Sequence, residues 1–194
     1  MTSGAVAAER AQRLFFAFWP EEAARAALAH ATAKAVRYSG GRPVPAANLH
    51  VTLAFLGSVP EQRIAELQQL AAAQAAQCAR ERAIVLSFDR FDYFRRAQVL
   101  CVLATEDDAA AAQRLASALQ DASAAAGFNP DLKPFRAHVT VARKVMRATV
   151  PVELRPLVWE FSAFALISSR TEPAGAVYSV VQSYPLVKTQ KMHE

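Results

Sequence analysis

Two short strings carry the residue types best suited to chemistry: His50–Val51–Thr52–Leu53 and His138–Val139–Thr140–Val141. Each sets an imidazole two residues before a hydroxyl. On an extended strand alternate side chains share a face, so His50 projects with Thr52, and His138 with Thr140, while Val51, Leu53, Val139 and Val141 turn into a core. Imidazole titrates near neutrality, so one neutral ring takes a proton while one protonated ring gives one. Two such pairs facing each other suit in-line displacement at phosphorus. One ring activates the attacking water and the other protonates the departing oxygen, each worth roughly a hundredfold to ten-thousandfold in rate. The threonine hydroxyls supply donors to the non-bridging oxygens, where negative charge accumulates. A strained cyclic diester needs neither metal nor cofactor for this.

A lone His-x-Thr is usually a polar strand residue beside a harmless hydroxyl. Two copies are different: with four histidines in 194 residues, chance placement produces two such pairs in about one sequence in a hundred. The remaining histidines, His30 in an alanine-rich helical stretch and His193 in the tail, read as surface residues. No nucleophile elbow or cysteine motif supports covalent catalysis. Catalytic zinc wants three protein ligands, and spacing supplies no third one, so no metal is expected.

Basic residues flank both strings. Arg42 lies eight residues before His50, Lys133 and Arg136 precede His138, and Arg143 follows it by five. Forked guanidinium donors match phosphate, which makes Arg42 and Arg143 candidate substrate-binding residues. Lys133 and Arg136 read as solvated surface charges. Strict alternation sends Arg143 to the face opposite His138, so it reaches the site only if the strand end turns or bulges. Tyr38, Tyr93 and Phe94 are aromatics available to stack a base.

The elements that must hold these residues follow from pattern. Leu14–Trp19 is apolar on both faces and predicts a central strand. Pro20, Glu21 and Glu22 open a helix that runs to about Val36, with acids at the positive end of its dipole. Turn chemistry spans Tyr38 to Pro43, and a strand from His50 to Leu56 closes at Gly57. Ser58 and Glu61 form a capping box ahead of a helix carrying Ile64, Leu67, Ala71 and Ala75. Strands follow at Ala83–Phe88 and Val99–Leu103. A helix opening at Thr105 turns Ala112, Leu115, Leu119 and Ala122 inward and stops at Gly127, a left-handed cap. Ala137–Ala142 is a further strand, and strand patterns fill Val158–Ile167 and Val177–Tyr184. The order strand, helix, proline-containing loop, histidine strand occurs at 14–56 and again at 99–142, as an internal duplication would leave it.

Composition bounds the class. The chain is 53% hydrophobic and 20% charged, with net charge +5 and pI near 9.6. That is globular, large enough for a sizeable core, and suited to phosphate-bearing partners. Cys78 and Cys101 form no motif and point to a reducing compartment. No signal-peptide pattern and no apolar run of membrane-spanning length occurs, so a cytoplasmic protein without membrane contact is expected.

At these residues the chain resembles the two-histidine (2H) phosphoesterase superfamily, and within it the RNA 2′,3′-cyclic phosphodiesterase (LigT-like, 2′–5′ RNA ligase) family. The matching text is Arg13-LFFAFWP, GRPVPAANLHVTLAFLG ending at Gly57, PFRAHVTVAR ending at Arg143, Tyr178 and Tyr184–Pro–Leu. The similarity runs from about residue 13 to 187. It implies an α+β fold of two pseudo-symmetric lobes, each a mainly antiparallel sheet with helices outside, and a cleft between them. It thus implies one bilobal domain over 13–187 between a flexible N-terminus, 1–12, and a flexible tail, 188–194. The implied activity is metal-independent hydrolysis of a terminal 2′,3′-cyclic phosphate to a 2′-phosphate. RNA 3′ ends or cyclic nucleotides are the implied substrates, and a monomer is expected. By motif position His50 resembles the proton donor to the leaving 3′ oxygen and His138 the base that activates water; Arg143 matches a phosphate or nucleotide contact. Ala137 departs from the proline many relatives carry there, without removing a chemical group. Ligation of tRNA halves through a 2′–5′ bond, the reverse chemistry, and a nucleotide- or RNA-binding module without turnover are the alternatives.

Overall fold

A computed structural model describes residues 10–79, 82–148, 152–173 and 175–187. Of the expected flexible N-terminus, 1–12, residues 1–9 lie outside the described residues, but Ala11 and Gln12 are strand residues held opposite Pro60 and Val59; the expected tail, 188–194 with His193, also lies outside the described residues. Along the chain run β1 (Ala11–Phe18), α1 (Glu22–Ser39), β2 (Arg42–Pro43), β3 (Val51–Pro60), α2 (Ile64–Gln77), β4 (Ile84–Phe94), β5 (Val99–Ala104), α3 (Glu106–Ala125), β6 (His138–Arg143), β7 (Leu157–Phe161), β8 (Ala163–Glu172) and β9 (Gly175–Pro185).

The described strands form one nine-stranded sheet in the order β7-β4-β5-β6-β3-β1-β8-β9, with the short β2 added beside β6. Every pairing is antiparallel. Its two halves are the expected lobes, and the two histidine strands meet at the centre. There β3 and β6 share one pair of opposed residues, Val51 and Val139, each the residue after its histidine. About that pair the sheet order is pseudo-two-fold, β3 and β1 on one side matching β6 and β5 on the other, with α1 and α3 as the intervening helices, the arrangement an internal duplication would leave.

Helices pack on the face that Val51 and Val139 share. Leu28 from α1, Leu67 from α2 and Leu115 and Leu119 from α3 are buried there with Phe16, Leu53 and Val141. Burying each such side chain stabilises the fold by about 1.5–3 kcal/mol. On α3 the inward position after Leu119 is Ser123, fully buried, while Ala122 is only half-buried. The helix opens at Thr105, whose hydroxyl reaches Asp108 at 3.0 Å, and ends at Gly127 with φ 75°. Both ends are where the residue types put them.

The stretch after Gly57 differs from expectation. Ser58 is no cap: β3 continues to Pro60, with Ser58 opposite Arg13 and Pro60 opposite Ala11. The chain passes through a single 3₁₀ turn at Glu61–Arg63 before α2 begins. Pairing with β1, which starts three residues before the apolar run, outweighs a local cap worth about 1 kcal/mol. Gly57, with φ 72°, marks an irregularity within the strand and not its end.

Candidate active site

Because Val51 lies opposite Val139 in an antiparallel pair, the residue before one valine faces the residue after the other. His50 is directed toward Thr140, and Thr52 toward His138. Both valines are fully buried on the helix side, so alternation turns all four polar side chains to the open face. They line one cavity of about 530 Å³, together with Arg42 and Arg143.

Arg143 arrives by a bulge. Cys101 sits opposite Thr140 and Leu100 opposite Ala142, so Val141 is an extra residue on β6. Val141 and Ala142 both point into the core, and alternation restarts with Arg143 on the His138 face. The same device recurs on β3. Ala17 is opposite Thr52 and Phe16 opposite Ala54, leaving Leu53 extra; Leu53 and Ala54 are both buried. His-Val-Thr-x-Ala is common to both strands, and Phe55 is the pseudo-symmetric counterpart of Arg143. Arg42 is carried to the cavity by β2, where it pairs with Arg143.

Each imidazole is aimed by a carbonyl two residues upstream. His50 Nδ1 lies 2.7 Å from the Asn48 carbonyl, and His138 Nδ1 lies 2.7 Å from that of Arg136. A carbonyl only accepts, so Nδ1 carries the hydrogen in both rings and Nε2 is the nitrogen that titrates. His50 Nε2 stands 3.1 Å from the Thr52 hydroxyl. The Asn48 amide donates to the Ala176 carbonyl at 2.8 Å, tying the turn that aims His50 to the β8–β9 hairpin. Beside Thr140, the Cys101 thiol is 3.6 Å from the hydroxyl, and burial pushes its pKa up to about 12. It is an inert neighbour, not a nucleophile.

The two rings sit in unequal surroundings. Phe15, Trp19 and Tyr178 box His50, with ring centroids 5.0, 5.5 and 5.3 Å away. Loss of water in that box pulls its pKa down to about 4, helped by the positive charge of Arg143 and by His138. His138 touches Phe94 at 4.9 Å, and its pKa is lowered mainly by burial, then by Arg136.

All six candidate site residues therefore converge on one cavity. Lys133 and Arg136 are exposed, as expected, and paired with Asp131 at 2.8 Å and Asp92 at 3.1 Å. Tyr38 lies under Arg147 and Tyr93 packs on the main core; neither lines the cavity, whereas Phe94 touches His138. His30 is exposed on α1. Sequence reasoning passed over Asn48, Phe15, Trp19 and the His50 contact of Tyr178. Strand alternation alone would have put Phe15 and Trp19 on one face of the first strand.

The family model of the 2′-5′ RNA ligase superfamily matches residues 19–173. A Thermus thermophilus protein named RNA 2′,3′-cyclic phosphodiesterase is 34% identical over 188 residues, covering 90% of each chain. An Escherichia coli protein of the same name is 33% identical over 141 residues, covering 72% of this chain and 77% of its own. The crystal structure of E. coli LigT complexed with 3′-AMP superposes with a TM-score of 0.80 at 28% identity, covering 91% of this chain and 99% of that one. Among the described residues no helix is long and apolar enough to cross a membrane.

Proposed function

The chain belongs to the 2′-5′ RNA ligase superfamily, and from that premise we propose that it hydrolyses the terminal 2′,3′-cyclic phosphate of RNA to a 2′-phosphate. One observation carries the reading: two histidines from distant segments, each with Nδ1 fixed on a carbonyl, line one cavity with their threonines and two arginines. The cyclic phosphate sits between the imidazoles. His138 Nε2 takes a proton from water as its oxygen attacks phosphorus. The bond to O3′ breaks, and His50 Nε2, protonated, gives that oxygen its proton. Thr52 and Thr140 donate to the non-bridging oxygens, and Arg143 and Arg42 balance the growing charge.

No metal or cofactor enters these steps, and the enzyme works as a cytoplasmic monomer. Phosphorus NMR of adenosine 2′,3′-cyclic phosphate tests the reading with wild type, His50→Ala and His138→Ala. The wild type yields the 2′-phosphate alone, in the presence of chelator, and either substitution costs at least a hundredfold. Activity lost to chelator and restored by a divalent cation, or a 3′-phosphate product, defeats it.

A further inference from the structure

Arg13 takes no part in the steps above, yet it opens onto the same cleft. On β1 it stands opposite Ser58 of β3 and Ser169 of β8. Alternation puts it on the open face with Phe15, the ring that touches His50 at 5.0 Å. Its guanidinium carbon lies 5.2 Å over the Phe55 ring, a contact that steadies the head group without using its hydrogen-bond donors. Arg13 is exposed, and among the described residues no carboxylate comes within ion-pair reach of it.

Between Arg13 and the two histidines lies a cavity of about 350 Å³. One wall is His50, Thr52 and Arg143, shared with the larger cavity assigned to the scissile phosphate; the other is Arg13, Ser169 and Thr171. Among the described residues neither of these two hydroxyls has a hydrogen-bond partner. No acidic side chain lines the cavity, so the protein itself leaves two guanidinium groups unneutralised there. Forked guanidinium donors and hydroxyls are the set that binds phosphate oxygens. The cyclic phosphate already has Arg143 and Arg42 in its own cavity, and the donors around Arg13 call for a second anion. In a 3′-terminal nucleotide that anion is the phosphate on O5′, one ribose away from the cyclic phosphate. A bare nucleoside cyclic phosphate lacks it.

We infer that Arg13, Ser169 and Thr171 form a subsite for the phosphate on the 5′ oxygen of the terminal nucleotide, so that the cleft favours nucleotides and RNA chain ends over bare nucleoside cyclic phosphates. The inference rests on the hydrolase reading for the place of the cyclic phosphate. Arg13 donates to the non-bridging oxygens of the 5′-phosphate from β1, and the two hydroxyls donate from β8. This phosphate is chemically the same before and after the P–O3′ bond breaks. Its binding is therefore uniform along the reaction, lowering KM and leaving kcat nearly as it was. A hydrogen bond to a charged group is worth about tenfold to a hundredfold, and the exposure of Arg13 places it at the lower end.

The test uses three substrates: adenosine 2′,3′-cyclic phosphate, its 5′-phosphorylated form, and 3′–5′-linked adenylyl-adenosine ending in the same cyclic phosphate. Wild type should hydrolyse the second and third with kcat/KM about tenfold above the first, the difference lying in KM. Arg13→Gln should lower kcat/KM for those two at least fivefold further than for the bare nucleoside, and Arg13→Lys, which keeps a point charge, should lose less. Similar gains for both substituted substrates mean that a monoester and a diester fill the subsite alike; a larger gain for the dinucleotide assigns it to the RNA diester. No gain from the 5′-phosphate, a gain with the dinucleotide alone, or equal losses on all three substrates in Arg13→Gln overturns the subsite. A protein inert toward all three refutes the hydrolase reading instead. Calorimetry then decides the subsite: adenosine 2′,5′-bisphosphate should bind about tenfold more tightly than adenosine 2′-phosphate, with the gap closed in Arg13→Gln, and equal affinities in wild type overturn it.

Discussion

His50 is the residue whose assigned role sits least easily with its surroundings, and this makes it the sharpest test. Burial holds its pKa down to about 4, so only about one molecule in a thousand carries the proton at pH 7. Supplying that proton costs about 4 kcal/mol, which cancels most of what a general acid contributes. The acid role therefore requires the substrate to restore the proton. A single negative charge about 4 Å from the ring, at an effective dielectric near 20, favours the imidazolium by about 4 kcal/mol. The arginines Arg42 and Arg143 share that charge, so a rise of about 2 units is the sober expectation. The perturbation is saturation with adenosine 2′-phosphate, and the assay is nitrogen–proton correlation NMR on histidine-labelled protein. Nε2 of His50 should titrate near 4 in the free protein and near 6 or above in the complex, with Nδ1 protonated throughout. A His50 that stays near 4 with product bound refutes the reasoning and transfers the acid role to His138. A free-protein value close to the ordinary 6.5 would show that the aromatic box does not exclude water.

Arg143→Gln should lower kcat/KM by about thirtyfold to a hundredfold, the loss of one charged contact to phosphate, without changing the melting temperature by more than a degree or two; an unchanged kcat/KM places the guanidinium away from the substrate. Thr140→Val keeps the shape of the side chain and removes one donor, so it should cost about tenfold in kcat with little change in KM; a matched rise in KM alone would mean the hydroxyl holds the ground state. Acid stability follows from the lowered pKa of His50. Its folded value lies below the unfolded value of 6.5, so this contribution is whole above pH 6.5 and is lost as pH falls from there toward 4. The loss reaches about 2 kcal/mol at pH 5. Urea titrations of wild type and His50→Gln at pH 7 and pH 5 should therefore converge by about that amount, and parallel values at the two pH settings refute it.

The shared faces of the candidate catalytic residues were legible in the chain, because strand alternation is a local rule. His50 with Thr52 and His138 with Thr140 needed only a period of two to share their faces, and the apolar residues between them told which face was the core. Thr105 and Gly127 bounded α3 for equally local reasons. Longer-range pairing decided the rest. Ser58 has the chemistry of a cap and became a strand residue because β1 offered it hydrogen bonds. The need for a bulge before Arg143 was visible, yet its position at Val141 depends on which residue of β5 stands opposite. Phe55 acquired its place as the partner of Arg143 only through the axis at Val51 and Val139. Trp19 and Tyr178 touch His50 from segments that spacing does not connect, while Asn48 aims it from two residues upstream, and the proton affinity of that ring depends on all of them. Side-chain direction is set by the nearest few bonds, whereas water exclusion and register are properties of surfaces that meet only when the sheet is assembled.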